Sequence, residues 1–143
     1  MKHFSETINE NLKDFIEESM MTPNGFVILK PEFLNYDQEW KDIIKNKGWD
    51  FIHSERITLS PDQAKDLYEP HREKDFYNDL CDYMSSGECI CCTCKKNCSD
   101  PIEEMNKIKE IVRKKWAIND MKNAMHSSDS LENVERESKI CLH

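Results

Sequence analysis

The sequence predicts one α/β domain, because strand-like and helical segments alternate along almost the whole chain. Short apolar runs with strand character lie at 25–29, 49–58 and 89–94. Segments with helical spacing or helix-start signals separate them. No internal repeat or low-complexity linker divides the 143 residues. A chain of this length can bury roughly two thirds of its unfolded surface in one core, so a sheet covered by helices is expected.

The first 24 residues are predicted to form a helical extension, and the domain itself is placed at 25–143. Apolar side chains recur in the extension at helical spacing: Phe4, Ile8, Leu12, Phe15 and Ile16. We interpret this helix as a packing or partner-binding element rather than as part of a functional site. A turn at Thr22–Gly25 leads into the domain.

The first half of the domain alternates between strands and helices. The continuous apolar run at 25–29 predicts a strand that is buried on both faces. A helix is expected at 37–47, with Gly48 as its C-terminal stop. A strand at 49–58 follows, and Ser60-Pro61 supplies a cap and a favourable first residue for the next helix.

The second half repeats the alternation. A helix is predicted at 76–84 and a strand at 89–94. Asp100-Pro101 begins a charged helix that runs to about Lys115. A short strand carrying His126 follows, and a helix at 130–140 closes the chain.

The charge balance argues against nucleic acid as a partner. The formal net charge is −8, whereas a protein that binds a phosphate backbone normally carries a basic field. A few cations focused in one cleft could still bind nucleotides. No apolar run approaches twenty residues, and the N-terminus lacks the apolar core of a signal peptide. We therefore expect a soluble, cytoplasmic protein without a membrane partner.

Five of the seven cysteines fall within ten residues, at 89, 91, 92, 94 and 98. As a metal site the cluster would offer thiolates to zinc, but no second Cys-x-x-Cys or His pair follows. As structure, Cys89–Cys94 forms a strand whose cysteines act as small buried hydrophobes. We favour the strand, while zinc binding and redox chemistry stay open.

The segment Asn123–Ser130 places His126 beside an amide, hydroxyls and a carboxylate. Histidine can act as a nucleophile and titrates nearest to neutral pH. The same segment could be an ordinary helix start behind a surface histidine, because Ser128 and Asp129 are good cap residues. Residues elsewhere in the chain decide between these interpretations.

The whole set of motifs resembles the nucleoside diphosphate kinase family, over about residues 25–140. The matching motifs, in chain order, are Lys30-Pro31-Glu32 at a strand end, Tyr68 with Phe76 eight residues later, Tyr83-Met-Ser-Ser-Gly87, Arg113, and Asn123-x-x-His126-x-Ser128-Asp129. The chain looks closest to the divergent, cilium-associated group II members. It shares with them a short 31–48 segment, the Leu59-Ser60-Pro61 start and the Asn-Ala-x-His form.

The resemblance implies a ferredoxin-like antiparallel sheet with helices on one side. It also implies transfer of the γ-phosphate from a nucleoside triphosphate to a nucleoside diphosphate, through a phosphohistidine. Mg²⁺, carried by the nucleotide phosphates, would be the cofactor, with no metal site built by the protein itself. The cytoplasm is the expected location, with the cilium or flagellum as an alternative.

By the same resemblance, His126 accepts the phosphate, while Lys30 and Tyr68 meet it during transfer. Glu137 orients His126, and Ser128 fixes Glu137. The nucleotide-binding residues would be Phe76, which stacks on the base with Leu80 behind it, Arg113 at the inner phosphates, and Asn123 at the ribose. Each also has a structural alternative, as core aromatic, snorkelling lysine or solvated charge.

The chain departs from the family between Cys94 and Arg113, where the pattern is shortened. A second arginine and a loop with Thr-Asn-Pro are missing; Asn106 lies near the place of that arginine, and Lys107 or Lys109 could substitute for its charge. Family members assemble as hexamers partly through this loop. A smaller homo-oligomer and reduced turnover are therefore expected. The alternative function is a catalytically weak structural or regulatory subunit, possible in cilia or flagella, that docks through its N-terminal helix.

Overall fold

A computed structural model describes residues 22–142. The helices and strands, in chain order, are β1 (Gly25–Leu29), α1 (Asp37–Asn46), β2 (Asp50–Ile57), α2 (Pro61–Leu67), α3 (Tyr77–Met84), β3 (Cys89–Lys95), α4 (Pro101–Trp116), β4 (Met125–Ser127) and α5 (Leu131–Cys141). Each element predicted for this part of the chain is present, with bounds within about two residues. The helix predicted from Phe4 to Ile16 lies outside the described residues. None of the helices in the described part is both long and apolar enough to cross a membrane.

The four strands form one antiparallel sheet in the order β2-β3-β1-β4. Strand β1 lies inside the sheet and pairs with β3 on one side and β4 on the other. In this register, Ile28 lies opposite Cys91 of β3 and opposite His126 of β4, so the pairing of β1 sets the position of His126 in the sheet. The sheet therefore has the antiparallel, ferredoxin-like character that the resemblance implies.

Helices cover both faces of the sheet, so the expectation of helices on one side was wrong. Phe26 and Ile28 point to a core shared with α2, α3 and α5, whereas Val27 and Leu29 point to a core shared with α1 and α4. Successive side chains of a strand point to opposite faces, so the continuous apolar run of β1 needs a helical layer on each face. The first core is closed by Leu67, Leu80 and Val134, and the second by Trp40, Ile44 and Ile108.

The cysteine-rich segment is a buried strand, as the sequence indicates. Cys89, Cys91, Cys92 and Cys94 of β3 have no exposed surface, and all seven cysteines are free thiols. Burial raises the pKa of the Cys92 thiol to about 11, so the neutral form prevails near pH 7. In the described part of the chain, no three His, Cys, Asp or Glu side chains are grouped so that they could hold a metal ion.

Local signals in the sequence fix the helix starts that lead to the site. Ser60 begins α2 with a reciprocal cap, in which its hydroxyl accepts the Gln63 N–H at 3.0 Å and the Gln63 side chain accepts the Ser60 N–H at 2.9 Å. Ser130 begins α5 by accepting the Asn133 N–H at 3.0 Å. Because only three residues separate the end of β4 from the start of α5, the first two turns of α5 stay close to His126.

Candidate active site

A cavity of about 590 Å³ opens where the C-terminal end of β1 and strand β4 meet the ends of several helices. It brings together eight of the nine predicted site residues: Lys30, Tyr68, Phe76, Leu80, Arg113, Asn123, His126 and Glu137. The ninth, Ser128, is buried and hydrogen-bonded to Glu137. Residues spread over more than one hundred positions of sequence therefore share one site.

His126 is held at the cavity wall by a carboxylate. Its Nε2 atom lies 2.5 Å from Oε1 of Glu137, and the same oxygen accepts the Ser128 hydroxyl at 2.8 Å. Glu137 is only 4% exposed, so its hydrogen bonds are not replaced by water. An ionised carboxylate only accepts, which assigns the proton of the neutral ring to Nε2. The lone pair is then on Nδ1, the nitrogen that Glu137 does not bind.

Two aromatic rings restrict the orientation of the imidazole. The Tyr68 ring lies edge-on to His126, with a centroid distance of 5.6 Å and an interplanar angle of 83°. Phe26 of β1 makes a second edge contact at 6.4 Å. The Tyr68 hydroxyl is buried and lacks a hydrogen-bond partner among the described residues. Burial, reinforced by the Glu137 charge, raises the pKa of Tyr68, so this hydroxyl is a neutral donor at the cavity wall.

Four cationic side chains line the cavity: Lys30 from the end of β1, Lys109 and Arg113 from α4, and Arg136 from α5. Lys30 is 4% exposed, and its Nζ donates to the Met121 carbonyl at 3.2 Å. Burial and the charges of Arg113 and Lys109 lower the pKa of Lys30 to about 7. Burial likewise lowers the pKa of Lys109 and of Arg113. A chain with net charge −8 thus concentrates partly desolvated positive charge here, which suits an anionic ligand.

Lys109 is the lysine that reaches the cavity from α4. Lys107 and Asn106 do not line it, although both lie on the same helix. Arg113 follows Lys109 by four residues, so the two side chains share one helix face. The structure thus places Lys109 beside Arg113, on the side where the sequence lacks a second arginine.

The segment before β4 carries backbone strain. Ala124 has a φ of 80°, in the left-handed region that residues other than glycine seldom adopt. Its carbonyl accepts the Lys30 N–H at 2.8 Å, and the neighbouring Asn123 donates to the Asp120 carbonyl at 2.6 Å. Asn123 Oδ1 is buried without a partner among the described residues. This bend ties the segment before His126 to the end of β1.

Phe76 supplies a flat apolar surface at the cavity mouth. It is 44% exposed and its ring centroid lies 5.8 Å from that of His71, so it is not a core aromatic. Leu80, one turn further along α3, is buried and also lines the cavity. An exposed ring with apolar support is suited to stacking on a planar group.

Several lining residues were not predicted from the sequence: His71, Asp129, Asn133 and Arg136. His71 lies in a short turn after α2, where no sequence pattern marks it. Arg136 precedes Glu137 directly, and only this adjacency could have drawn attention to it. Acids also line the cavity, but they form no group that could hold a metal by itself.

The pKa of Lys30 makes the free energy of unfolding depend on pH. Lys30 has a pKa of about 7 in the folded chain, against an ordinary lysine pKa of 10.5. Between these values the unfolded chain binds the extra proton, so the contribution of Lys30 to stability rises with pH. Below about pH 7 the buried charge is fully present and destabilises the fold.

We therefore expect Lys30→Met to gain stability over the native chain at about pH 6, with the gain shrinking by on the order of 2–4 kcal/mol by about pH 10. Urea denaturation across this range measures it. Lys65→Met, at an exposed lysine, is the matched control. A stability difference for Lys30→Met that stays constant with pH would contradict the assignment.

The sequence of this chain is similar to those of known proteins from one family. The family described as "Nucleoside diphosphate kinase" matches residues 24–143. A nucleoside diphosphate kinase of Methanocaldococcus jannaschii is 31% identical, covering 84% of this chain and 93% of that protein. The human "Nucleoside diphosphate kinase homolog 5" is 28% identical, covering 87% of this chain and 66% of that protein.

Solved structures show the same fold. The Aquifex aeolicus nucleoside diphosphate kinase has a TM-score of 0.73 at 22% identity, covering 83% of this chain and 94% of that chain. The Encephalitozoon cuniculi enzyme has a TM-score of 0.77 at 18% identity, covering 84% of this chain and 88% of that chain. With the family match extending over 24–143, the chain belongs to the nucleoside diphosphate kinase family, whose members are phosphotransferases.

Proposed function

We propose that this chain transfers the γ-phosphate of a nucleoside triphosphate to a nucleoside diphosphate through a phosphohistidine at His126. The observation that carries the proposal is the fixed imidazole: Glu137 binds Nε2 at 2.5 Å, in a cavity that Lys30, Lys109 and Arg113 also line. A ring held by one nitrogen offers the other to an electrophile.

The reaction proceeds in two balanced steps. In the first, the Nδ1 lone pair of His126 attacks the γ-phosphorus, the bond to the bridging oxygen breaks, and the nucleoside diphosphate leaves with that electron pair. In the second, a β-phosphate oxygen of another nucleoside diphosphate attacks the same phosphorus, and Nδ1 recovers its lone pair. Throughout, Glu137 stabilises the positive charge that forms on the ring when Nδ1 carries the phosphate.

The cavity walls supply charge and orientation for the phosphates. Lys30 and the Tyr68 hydroxyl contact the transferred group in this scheme, since both side chains are buried and line the same cavity as His126. Arg113 and Lys109 bind the inner phosphates from α4. Mg²⁺ arrives with the nucleotide and neutralises part of its negative charge. A bound phosphate would favour the protonated form of Lys30, and the attraction between the two charges would offset the cost of burying the ammonium group.

The nucleoside lies toward the cavity mouth. Phe76 stacks on the base with Leu80 behind it, and stacking tolerates any base. Asn123 bonds the ribose through Oδ1, which has no partner among the described residues. The substrates are therefore nucleoside di- and triphosphates of broad base identity.

Replacement of the nucleophile gives the decisive test. His126→Ala should form no acid-labile, labelled protein with γ-labelled ATP and Mg²⁺, because no other nitrogen occupies its place. His53→Ala is the matched control, since His53 lies on β2, is exposed and pairs with Glu55 away from the cavity. Labelling that persists in His126→Ala at the control level would remove His126 from the reaction.

A substitution at Lys109 tests whether this lysine replaces the charge of the arginine that the sequence lacks. Lys109→Met should lower kcat/KM for exchange by about 10- to 100-fold, because a hydrogen bond to a charged group contributes about 1.5–3 kcal/mol. Lys107→Met removes an exposed charge from the same helix and should change little. Lys109→Arg should retain or raise the rate, since guanidinium binds phosphate bidentately. Equal losses in both methionine variants would show that only bulk charge matters.

The shortened segment between β3 and Arg113 also bears on assembly. The family hexamer forms partly through the loop that is shortened here, so the proposed state is a dimer or a monomer. The N-terminal extension at 1–24 is the element proposed to bind a protein partner. Light scattering on the purified chain should give a mass below that of a hexamer, and a stable hexamer would show that the loop is dispensable for assembly.

Membership of the cilium-associated subgroup is a finer proposal that rests on the short 31–48 segment and the Asn123-Ala124-x-His126 form. Human homolog 5 is about as similar as the prokaryotic relatives, at 28% against 31% for the Methanocaldococcus enzyme, so overall identity does not separate the subgroups. A cytoplasmic or ciliary location accompanies this proposal, and imaging of a tagged chain in a ciliated cell distinguishes the two.

A further inference from the structure

Arg136 has a fixed position that the phosphoryl-transfer scheme does not use. It lies on α5 directly before Glu137, and it lines the cavity. Each guanidinium nitrogen donates to a different acceptor: Nε to Asn133 Oδ1 at 3.0 Å, Nη1 to the Asp66 carbonyl at 2.9 Å, and Nη2 to the Leu67 carbonyl at 3.2 Å. A planar fork bound on three nitrogens has little freedom to rotate.

The guanidinium also faces the carboxylate that holds the nucleophile. Nη2 of Arg136 lies 3.6 Å from Oε2 of Glu137, while Oε1 binds His126 and Ser128. The two oxygens of Glu137 are thus assigned to different partners. At 3.6 Å the arginine acts through its charge, and the 5% exposure of the Glu137 side chain limits screening by water.

The two carbonyl acceptors of Arg136 lie at the end of α2, immediately before Tyr68. The last carbonyls of a helix have no partner within it, so a basic side chain is favourable there. Tyr68 in turn contacts the His126 ring. Arg136 therefore links the helix that carries Glu137 to the end of the helix that leads to Tyr68, on two sides of the imidazole.

We propose that Arg136 is a positioning residue that fixes Glu137, so that His126 keeps its proton on Nε2 and its lone pair on Nδ1. The effect of Arg136 on phosphoryl transfer rests on the proposed function, because only that reaction uses Nδ1 of His126 as the nucleophile. The tautomer itself is a property of the chain without nucleotide. A purely structural arginine would cap α2 and leave the ring unaffected.

The first experiment measures the tautomer directly. In protein labelled with ¹⁵N-histidine and free of nucleotide, long-range ¹H–¹⁵N correlations distinguish the two ring nitrogens of His126. The native chain should show the Nε2–H form, and Arg136→Gln should show a mixture with Nδ1–H. Glutamine keeps donors for the carbonyls and loses the charge, which separates capping from the effect on Glu137. Arg136→Lys should restore most of the native signal.

The second experiment measures the consequence for phosphoryl transfer. Arg136→Gln should lower kcat by about tenfold with a small change in KM, because a misplaced nucleophile slows the chemical step. Lys139→Met is the control: it removes a charge from the same helix that pairs only with Glu135 in the described chain. Thermal melting of the same samples completes the comparison.

A lower melting temperature in Arg136→Gln with an unchanged His126 tautomer overturns the proposal and leaves Arg136 as a helix cap. A tautomer mixture in Arg136→Gln but not in Lys139→Met supports it. These outcomes are independent of phosphoenzyme formation. A native chain that showed the Nε2–H form yet accepted no phosphate would defeat the proposed function and leave the positioning role intact.

Discussion

Strand β1 is the constraint on which the rest of the structure depends. All five of its residues are buried, and it pairs with β3 on one side and β4 on the other. Its two faces require the two helical layers, and its register sets Ile28 opposite His126. Its last residue is followed at once by Lys30, whose buried ammonium then lies at the cavity. Packing of this one strand therefore fixes the positions of both His126 and Lys30 at the cavity.

The cavity holds positive charge at a cost to the empty protein. Lys30, Lys109 and Arg113 all have their pKa values lowered by burial, and Lys30 and Lys109 further by the Arg113 charge. A surface-exposed cluster would avoid that cost but would be screened by salt. Partial burial makes the same charges stronger toward a phosphate, because little solvent must reorganise when the anion binds. The partial burial of these cations thus destabilises the protein without an anion. The same burial would strengthen their attraction to a phosphate.

Much of the fold could be predicted from local patterns. The apolar run of β1, the Ser60-Pro61 cap and the cysteine run of β3 are short-range signals, and each lies where expected. The helices on both faces follow from the same apolar run of β1, which needs a cover on each side, whereas the expectation of helices on one side came from the family resemblance. The family resemblance pointed to His126 and Glu137, and the structure brings the two together from β4 and from the helix that follows it. Lys109 and Arg136 carry no such signal, because on a charged helix only the tertiary structure separates a cavity-facing charge from a solvated one.

The two halves of the site differ in how far they tolerate change. The half built from β1, β4 and α5 holds the imidazole through contacts of 2.5–2.8 Å that depend on exact side-chain identity. The half built from α4 supplies charge toward phosphates, and charge acts over longer distances with looser geometry. A lysine on α4 can therefore replace an arginine with a loss of bidentate geometry but without disturbing the nucleophile. The shortened segment before Arg113 falls entirely in the tolerant half. Sequence change on α4 is therefore expected to alter the charge of the cavity more readily than the contacts that hold His126.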